Sequence, residues 1–435
     1  MIDRIQVLDV LSRKRAWEQY QLYTKTQWFS AAEMERFQVE KLRALLRHCV
    51  QSVPFYRDVI RGAAIDVEGF HSLQVLEQFP VIDKTTVKRD PSAFTSVNTA
   101  RLGPLRTVHT GGTTGEPLRF LKDARLRSSS HAALYRFHQW MGVSVGDPKI
   151  VVWGAPIVKP GASKILRDWG LRLLTNSVLI DPFTINRSAR ARLLQIFERH
   201  RPVLVHGYCQ AIYELARWFE EWEYRYPLRA VSTTVEPLFP EYRAAFRRAF
   251  ACEAFDQYGC GEVEFAAGEC SAHEGLHVFQ ERAVLETDSE NRVVLTDLDN
   301  QVFPFIRYRN GDTVELGERC CTCGRVGPKL QRVLGRIGDV ITGANGNRVH
   351  PEFFTHLLNE SGVSYRAGLR KYQVVQTARD RLEWRLVSSP LSESDRQQLT
   401  ESVQGYLGNV DVCFIQMDDI PPNRSGKFQY VVSNV

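Results

Sequence analysis

Residues 201–222 read "RPVLVHGYCQAIYELARWFEEW". The first third is a short β-rich run, "RPVLVHGY", and from Ala211 onward apolar residues recur at helical spacing. The same change of period is repeated on both sides. "KIVVWGAP" (149–156), "RAVSTTVEP" (229–237) and "EAFDQYG" (253–259) are strand-like, whereas "SARARLLQIFERH" (188–200) carries a helical stripe. Strands alternating with helices between about 148 and 310 predict an α/β domain whose ligand loops follow the strand ends. The Trp and Phe residues of 214–222 fit helix core or surface packing better than a cofactor box.

Farther out the pattern changes. "RAVLETD", "RVVLTDLD" and "FPFIRYRNGD" have no long helix between them and predict an antiparallel subdomain closing the large domain. Residues 1–100 form a helical leading region: Leu42, Leu45, Leu46, Cys49 and Val50 share one stripe, Pro54 breaks that helix, and Asp83 is placed to cap the next. Beyond the Gly-bearing junction "LGRIGDVITGANGNRVHPEFF" comes a small α+β unit. "YQVVQT" and "RLEWRLVSS" flank "ARD" as a hairpin, "SESDRQQLTESVQGYL" is a helix with Leu399, Val403, Tyr406 and Leu407 on one face, and "VDVCFIQM" is a strand. The expected architecture is thus α/β followed by α+β: a large N-terminal domain, 1–335, and a small mobile C-terminal domain, 336–435.

The chain has 435 residues, 43% hydrophobic, with a net charge of +6 and no long basic run. That mild excess suits an anionic small molecule and gives little support for nucleic acid. No window approaches a membrane span or a signal-peptide core, so a cytoplasmic location is expected. Of nine Cys, Cys270 and the cluster Cys320, Cys321, Cys323 stand apart, which in a reducing compartment points to metal before disulfide.

The run "TVHTGGTTGEPL" (107–118) raises the question of chemistry. Gly111, Gly112 and Gly115 let the backbone approach a ligand closely, and Thr110, Thr113 and Thr114 add hydroxyl donors. The Lys of a Walker loop is missing, with Glu116 near its place, so a phosphate cradle and a surface turn both stay open. Four further motifs follow in order: "YGCGE" (258–262), "RYRNGD" (307–312), "GRIGD" (335–339) and "NRSGK" (423–427). With "TGGTTGEP" (110–117) they resemble the successive core motifs of the adenylate-forming superfamily of acyl-CoA ligases, peptide adenylation domains and luciferases. The flanks "LRHCVQSVPFYRDVI", "FPVIDKTTV" and "SGKFQYVVS" narrow the likeness to the phenylacetate-CoA ligase branch, especially members associated with capsular polysaccharide loci.

The resemblance implies ATP-dependent activation of a carboxylic acid to an acyl-adenylate, then acyl transfer to CoA. Attack of a carboxylate on the α-phosphorus of ATP needs charge neutralisation and in-line positioning more than covalent help. In that scheme residues 110–115 hold ATP phosphates, and Glu262 coordinates Mg²⁺. Tyr258, with Gly259 after it, sets a ring beside the adenine, and Asp312 accepts from the ribose hydroxyls. Arg336 reaches ribose or phosphate, and Lys427 swings in to neutralise charge near the α-phosphate. Glu236 and Pro237 neighbour the pocket, with a structural carboxylate as the alternative for Glu236. His206, Gly207 and Tyr208 sit where relatives line the acyl pocket. Two departures are visible: Glu116 stands where relatives often have Lys, and Gly338 where they often have an acidic hinge residue.

Cys270 and His273 in "ECSAHEG", with Cys321 and Cys323 in "CCTCGR", supply two short ligand pairs suited to a tetrahedral structural Zn²⁺, a set that some relatives carry. Cys320 or His277 could replace one of them. The alternatives to the CoA ligase are transfer of the acyl group to an amine, a hydroxyl or a carrier-protein thiol, in surface polysaccharide synthesis for instance, and a non-catalytic nucleotide-binding protein. A homodimer stays open as an assembly.

Overall fold

The computed structural model describes residues 5–7, 9, 15–109, 118–153, 175–185, 187–336, 341–349, 353–354, 357–358, 361–421 and 428–435. The chain divides into two compact units, residues 1–310 with 314–332, and residues 311–313 with 333–435.

The first unit opens with helices. α1 (Ala16–Thr26) precedes α2 (Ala31–Ser52), which starts on a capping box: Glu33 N donates to Ser30 Oγ at 3.3 Å and Ser30 N to Glu33 Oε2 at 2.8 Å. Pro54 cannot extend α2 but suits a first turn, so α3 (Pro54–Gly62) begins there. Leu42, Leu45, Leu46 and Cys49 are buried as their stripe requires, in a core with Tyr56, Phe94, Phe303, Phe305 and Tyr308. Each such Leu contributes about 1.5–3 kcal/mol of transfer free energy. Tyr56 Oη donates to the Pro304 carbonyl at 3.2 Å and accepts from Ile306 N at 3.0 Å, which fixes the approach to Tyr308. After the two-residue β1 (Ile82–Asp83), Asp83 caps α4 (Lys84–Arg89) by accepting from Thr86 N at 2.8 Å.

β2 (Arg106–His109) and β3 (Arg119–Lys122) then pair antiparallel, and the Gly/Thr run connects them. Asp123 caps α5 (Ala124–Trp140), accepting from Leu126 N at 2.9 Å. The alternating region follows as β4 (Lys149–Val152), β5 (Ser177–Ile180), α6 (Arg190–His200), β6 (Leu204–Tyr208), α7 (Cys209–Glu221), β7 (Ala230–Thr234), α8 (Pro240–Phe250) and β8 (Ala254–Cys260). Its strands lie parallel in the order β5-β4-β6-β7-β8. Trp218, Phe219 and Trp222 are buried, so the aromatic stripe of 214–222 is core.

β8 is the turning point of the sheet, parallel to β7 on one edge and antiparallel to β9 (Glu264–Glu269) on the other. β10 (Leu276–Val278), β11 (Ala283–Thr287), β12 (Arg292–Asp297), β13 (Tyr308–Leu316) and β14 (Lys329–Arg336) continue it in the order β11-β12-β13-β14-β10-β9. The strands expected to close the large domain therefore do so within one 12-stranded sheet, β1 joining beside β13. Within "FPFIRYRNGD" the strand begins only at Tyr308: Phe303, Phe305 and Ile306 are buried outside it, and Arg307 turns the chain at φ +50°.

In the second unit β15 (Ile341–Thr342) pairs with β16 (Arg348–Val349), and β17 (Lys371–Ala378) with β18 (Arg381–Val387) as the expected hairpin. α9 (Glu393–Leu407), β19 (Asp411–Gln416) and β20 (Val431–Ser433) complete a sheet of order β19-β18-β17-β20. Leu399, Val403 and Leu407 of α9 are buried, but Tyr406 is 59% exposed at the edge of that stripe, its ring 4.9 Å from that of Phe353. Among the described residues no helix is long and apolar enough to cross a membrane.

Candidate active site and metal-ligand cluster

Gly261, Glu262 and Val263 make the short turn between β8 and β9, across which Cys260 pairs with Glu264. Glu262 is buried, and Tyr308 Oη donates to its Oε1 at 2.8 Å. Asn310 Nδ2 donates to Tyr258 Oη at 2.7 Å. Side chains alternate along a strand, so Tyr308, Asn310 and Asp312 belong to one face of β13, and Asp312 is buried on it. "YGCGE" and "RYRNGD" are therefore joined directly by side-chain hydrogen bonds. Gly259 has a steric reason to be Gly: a Cβ there would meet the Glu264 carbonyl oxygen at 2.2 Å.

Glu236 follows β7 after Val235, whose φ of +80° is unusual for a β-branched residue. The Glu236 carboxylate accepts from Gln210 N at 2.8 Å in the first turn of α7, where a negative group meets the positive end of the helix. Of the two roles open for Glu236, the structural one thus has a named partner, and Pro237 leads the chain on from it. Thr110, Gly111, Gly112, Thr113, Thr114, Gly115, Glu116, Gly338 and Lys427 lie outside the described residues, and Arg336 is placed only as the end of β14.

At the carboxyl ends of the parallel strands, where sheets of this kind bind ligands, Trp153 follows β4 and its ring lies 4.6 Å from that of Tyr208 and 6.5 Å from that of His206. His206 Nδ1 lies 3.1 Å from Ser232 Oγ, and burial pushes the imidazole down to about 4, so it is neutral near pH 7. Gly207 cannot carry a side chain, because a Cβ would meet the Val152 carbonyl oxygen at 1.9 Å. The sequence reading missed Trp153, Ser232, Tyr308 and Asn310. The last two had a signal, the period of two inside "RYRNGD".

A second cluster lies in the same unit. One donor atom each from Cys270, His277, Cys321 and Cys323 falls within 4.8 Å of every other. Cys270 Sγ is 3.7 Å from Cys321 Sγ, and Cys323 Sγ is 3.4 Å from His277 Nε2. Four donors about 2.0–2.3 Å from a central ion sit roughly 3.3–3.8 Å apart, so three thiols and one imidazole fit tetrahedral zinc. The imidazole is that of His277, the substitute foreseen, and His273 of the expected set is replaced. His273 N bonds the Cys270 carbonyl at 3.0 Å in a tight turn with φ +54°, and its ring turns to Phe255 at 4.9 Å and to Glu269 at 3.1 Å. His277 instead reaches the cysteines from β10, its ring against Trp140 at 5.8 Å. Thr322, between Cys321 and Cys323, donates from N and Oγ1 to Glu274 at 3.1 and 2.6 Å and ties the two ligand segments together.

The architecture has relatives of known structure. It superposes on a 2-hydroxyisobutyryl-CoA ligase in the postadenylation state in complex with 2-HIB-AMP with a TM-score of 0.72 and 20% identity, covering 94% of this chain and 91% of that one. The fold is that of the adenylate-forming CoA ligases. Residues 341–434 match the CapK C-terminal domain. Protein CapK of Staphylococcus aureus is 21% identical over 417 residues, 93% of this chain and 90% of that protein. The phenylacetate-coenzyme A ligase of Escherichia coli is 24% identical over 422 residues, 90% and 93% respectively. The chain is a homologue of CapK and of the phenylacetate-CoA ligases.

Proposed function

We propose that this protein is an AMP-forming ligase that activates a carboxylic acid as its acyl-adenylate, releases pyrophosphate and passes the acyl group to CoA. The observation that carries this reading is the union of "YGCGE" and "RYRNGD" through the Tyr308–Glu262 and Asn310–Tyr258 bonds. In it Tyr258 presents its ring to the adenine with Gly259 beside it. Asp312 accepts from the ribose, Thr110–Gly115 and Arg336 hold the nucleotide, and Lys427 supplies charge at the α-phosphate. Glu262 would hold Mg²⁺, which when bound neutralises the phosphates. The Tyr308 hydroxyl keeps one oxygen of that carboxylate aimed in a fixed direction. Cys270, His277, Cys321 and Cys323 would hold a structural Zn²⁺, a closed set of four protein donors with no position left for substrate.

None of the nine cysteines is in a disulfide, in keeping with a cytoplasmic enzyme that draws on ATP and CoA. A second reading, which the resemblance to the capsular branch of these ligases suggests, has the same adenylate transferred to an amine, a hydroxyl or a carrier-protein thiol. Pyrophosphate exchange into ATP, measured across aryl, fatty, amino and sugar acids, tests the common first step. Exchange with at least one acid is expected, and none across the panel despite ATP binding would refute both readings. Product mass after adding CoA then separates the acceptors.

A further inference from the structure

Two consecutive residues at the end of β3 fasten the β2–β3 hairpin. Asp123 Oδ2 accepts from Gln301 N at 2.7 Å, while Lys122 Nζ reaches Glu264 Oε1 at 2.8 Å. Both partners of the ion pair are largely buried, their side chains 8% and 24% exposed. Lys122 sits in register with Arg106 at the base of the hairpin whose far end carries the Gly/Thr run. Glu264 is two residues beyond Glu262 and closes the β8–β9 turn. A single contact thus spans 142 positions of sequence and joins the strand leading from the proposed phosphate loop to the turn bearing the proposed Mg²⁺ carboxylate.

The conformation of Glu264 says that its side chain matters. Its φ is +63°, the left-handed region that the closing residue of a short hairpin often takes, and Gly or Asn fills such a position without strain. A Glu there is strained, and strain of this kind collects at functional sites. The Lys122 ammonium at 2.8 Å meets that carboxylate directly. A carboxylate held in a strained backbone by Lys122, with Ser130 and the buried Arg282 beside it, is a clamp with a defined length and direction.

We infer that Lys122 and Glu264 are positioning residues for MgATP, holding the phosphate-loop hairpin and the Glu262 turn at a fixed separation. The inference rests on the adenylation reading, and the pair itself touches no reacting atom. It also gives Glu264 a use that Gly could not serve.

The test compares the wild type with Lys122→Met/Glu264→Asn, in which Asn tolerates the left-handed backbone, and with the charge-swapped Lys122→Glu/Glu264→Lys. MgATP binding by calorimetry, pyrophosphate exchange and thermal unfolding are read on each. The neutral variant should bind MgATP about tenfold more weakly and show a matching rise in KM for ATP, equivalent to roughly 1.4 kcal/mol. Its KM for the acid should be unchanged and its Tm should stay within about 3 °C, with most of the loss restored by the swap. Unchanged ATP affinity, a loss shared equally by the acid and the Tm, or a swap no better than the neutral variant would overturn the inference. A wild type that binds MgATP but exchanges with no acid defeats the adenylation reading alone, and the binding comparison still decides the pair. A wild type that binds no MgATP defeats both.

Discussion

At the scale of single residues, spacing suggests a ligand but only geometry selects it. His273 and His277 are both near Cys270 in sequence, and Cys270-x-x-His273 is the tighter spacing. In the turn that His273 closes with Cys270 its ring faces Phe255 and Glu269, whereas β10 brings His277 Nε2 to 3.4 Å from Cys323. Chain purified without added metal should therefore contain stoichiometric zinc by mass spectrometry. His277→Ala should lose most of it and His273→Ala keep it, and the reverse pattern would reject the cluster. Because structural zinc is worth on the order of 10 kcal/mol to the fold that holds it, chelation should also lower the Tm of the wild type and change that of His277→Ala little. For Glu236 too the sequence leaves a pocket and a structural role open, and the structure adds its bond to Gln210 N.

At the scale of elements, one buried ion pair ties α1, α5 and the segment between β10 and β11. Arg136 of α5 bonds Glu281 at 2.5 and 3.3 Å and the Tyr23 carbonyl of α1 at 2.9 Å, and Thr26 Oγ1 donates to the same carboxylate at 2.7 Å. Phe279, at 4.6 Å from the guanidinium, covers it. Arg136→Met would leave a buried carboxylate with a hydroxyl and a backbone N–H but no cation, and should cost about 3–5 kcal/mol in urea unfolding, whereas adding Glu281→Leu should recover much of that loss. A single variant as stable as the wild type would mean that Glu281 finds another cation. No local pattern announced this pair, because 145 positions separate its members. The elements themselves were legible: the Pro54 break, the Asp83 cap, the hairpin at Arg379 and Asp380, and the strand-helix alternation follow from short-range rules.

At the scale of the whole molecule, the reading assigns the first half-reaction a lysine far from the Gly/Thr run in sequence. Lys427→Ala should fold normally by circular dichroism and lose pyrophosphate exchange by about 100-fold or more, as expected when one charge-stabilising group is removed from a polar transition state. Supplied with preformed acyl-adenylate, the same variant should still make thioester, and equal loss in both assays would place Lys427 elsewhere in the mechanism. Short-range physics makes part of this protein legible in its residues: the α/β alternation, the caps and breaks, the α+β character of the C-terminal unit, and motifs whose order points to adenylate chemistry. Packing, seen only in the folded chain, sets His277 rather than His273 among the three cysteines and brings Glu236 to the first turn of α7. The same packing joins Tyr308 to Glu262 and Lys122 to Glu264. Each of those outcomes depends on distances of a few ångströms between strands and helices remote in the chain, which packing sets and local propensity does not encode.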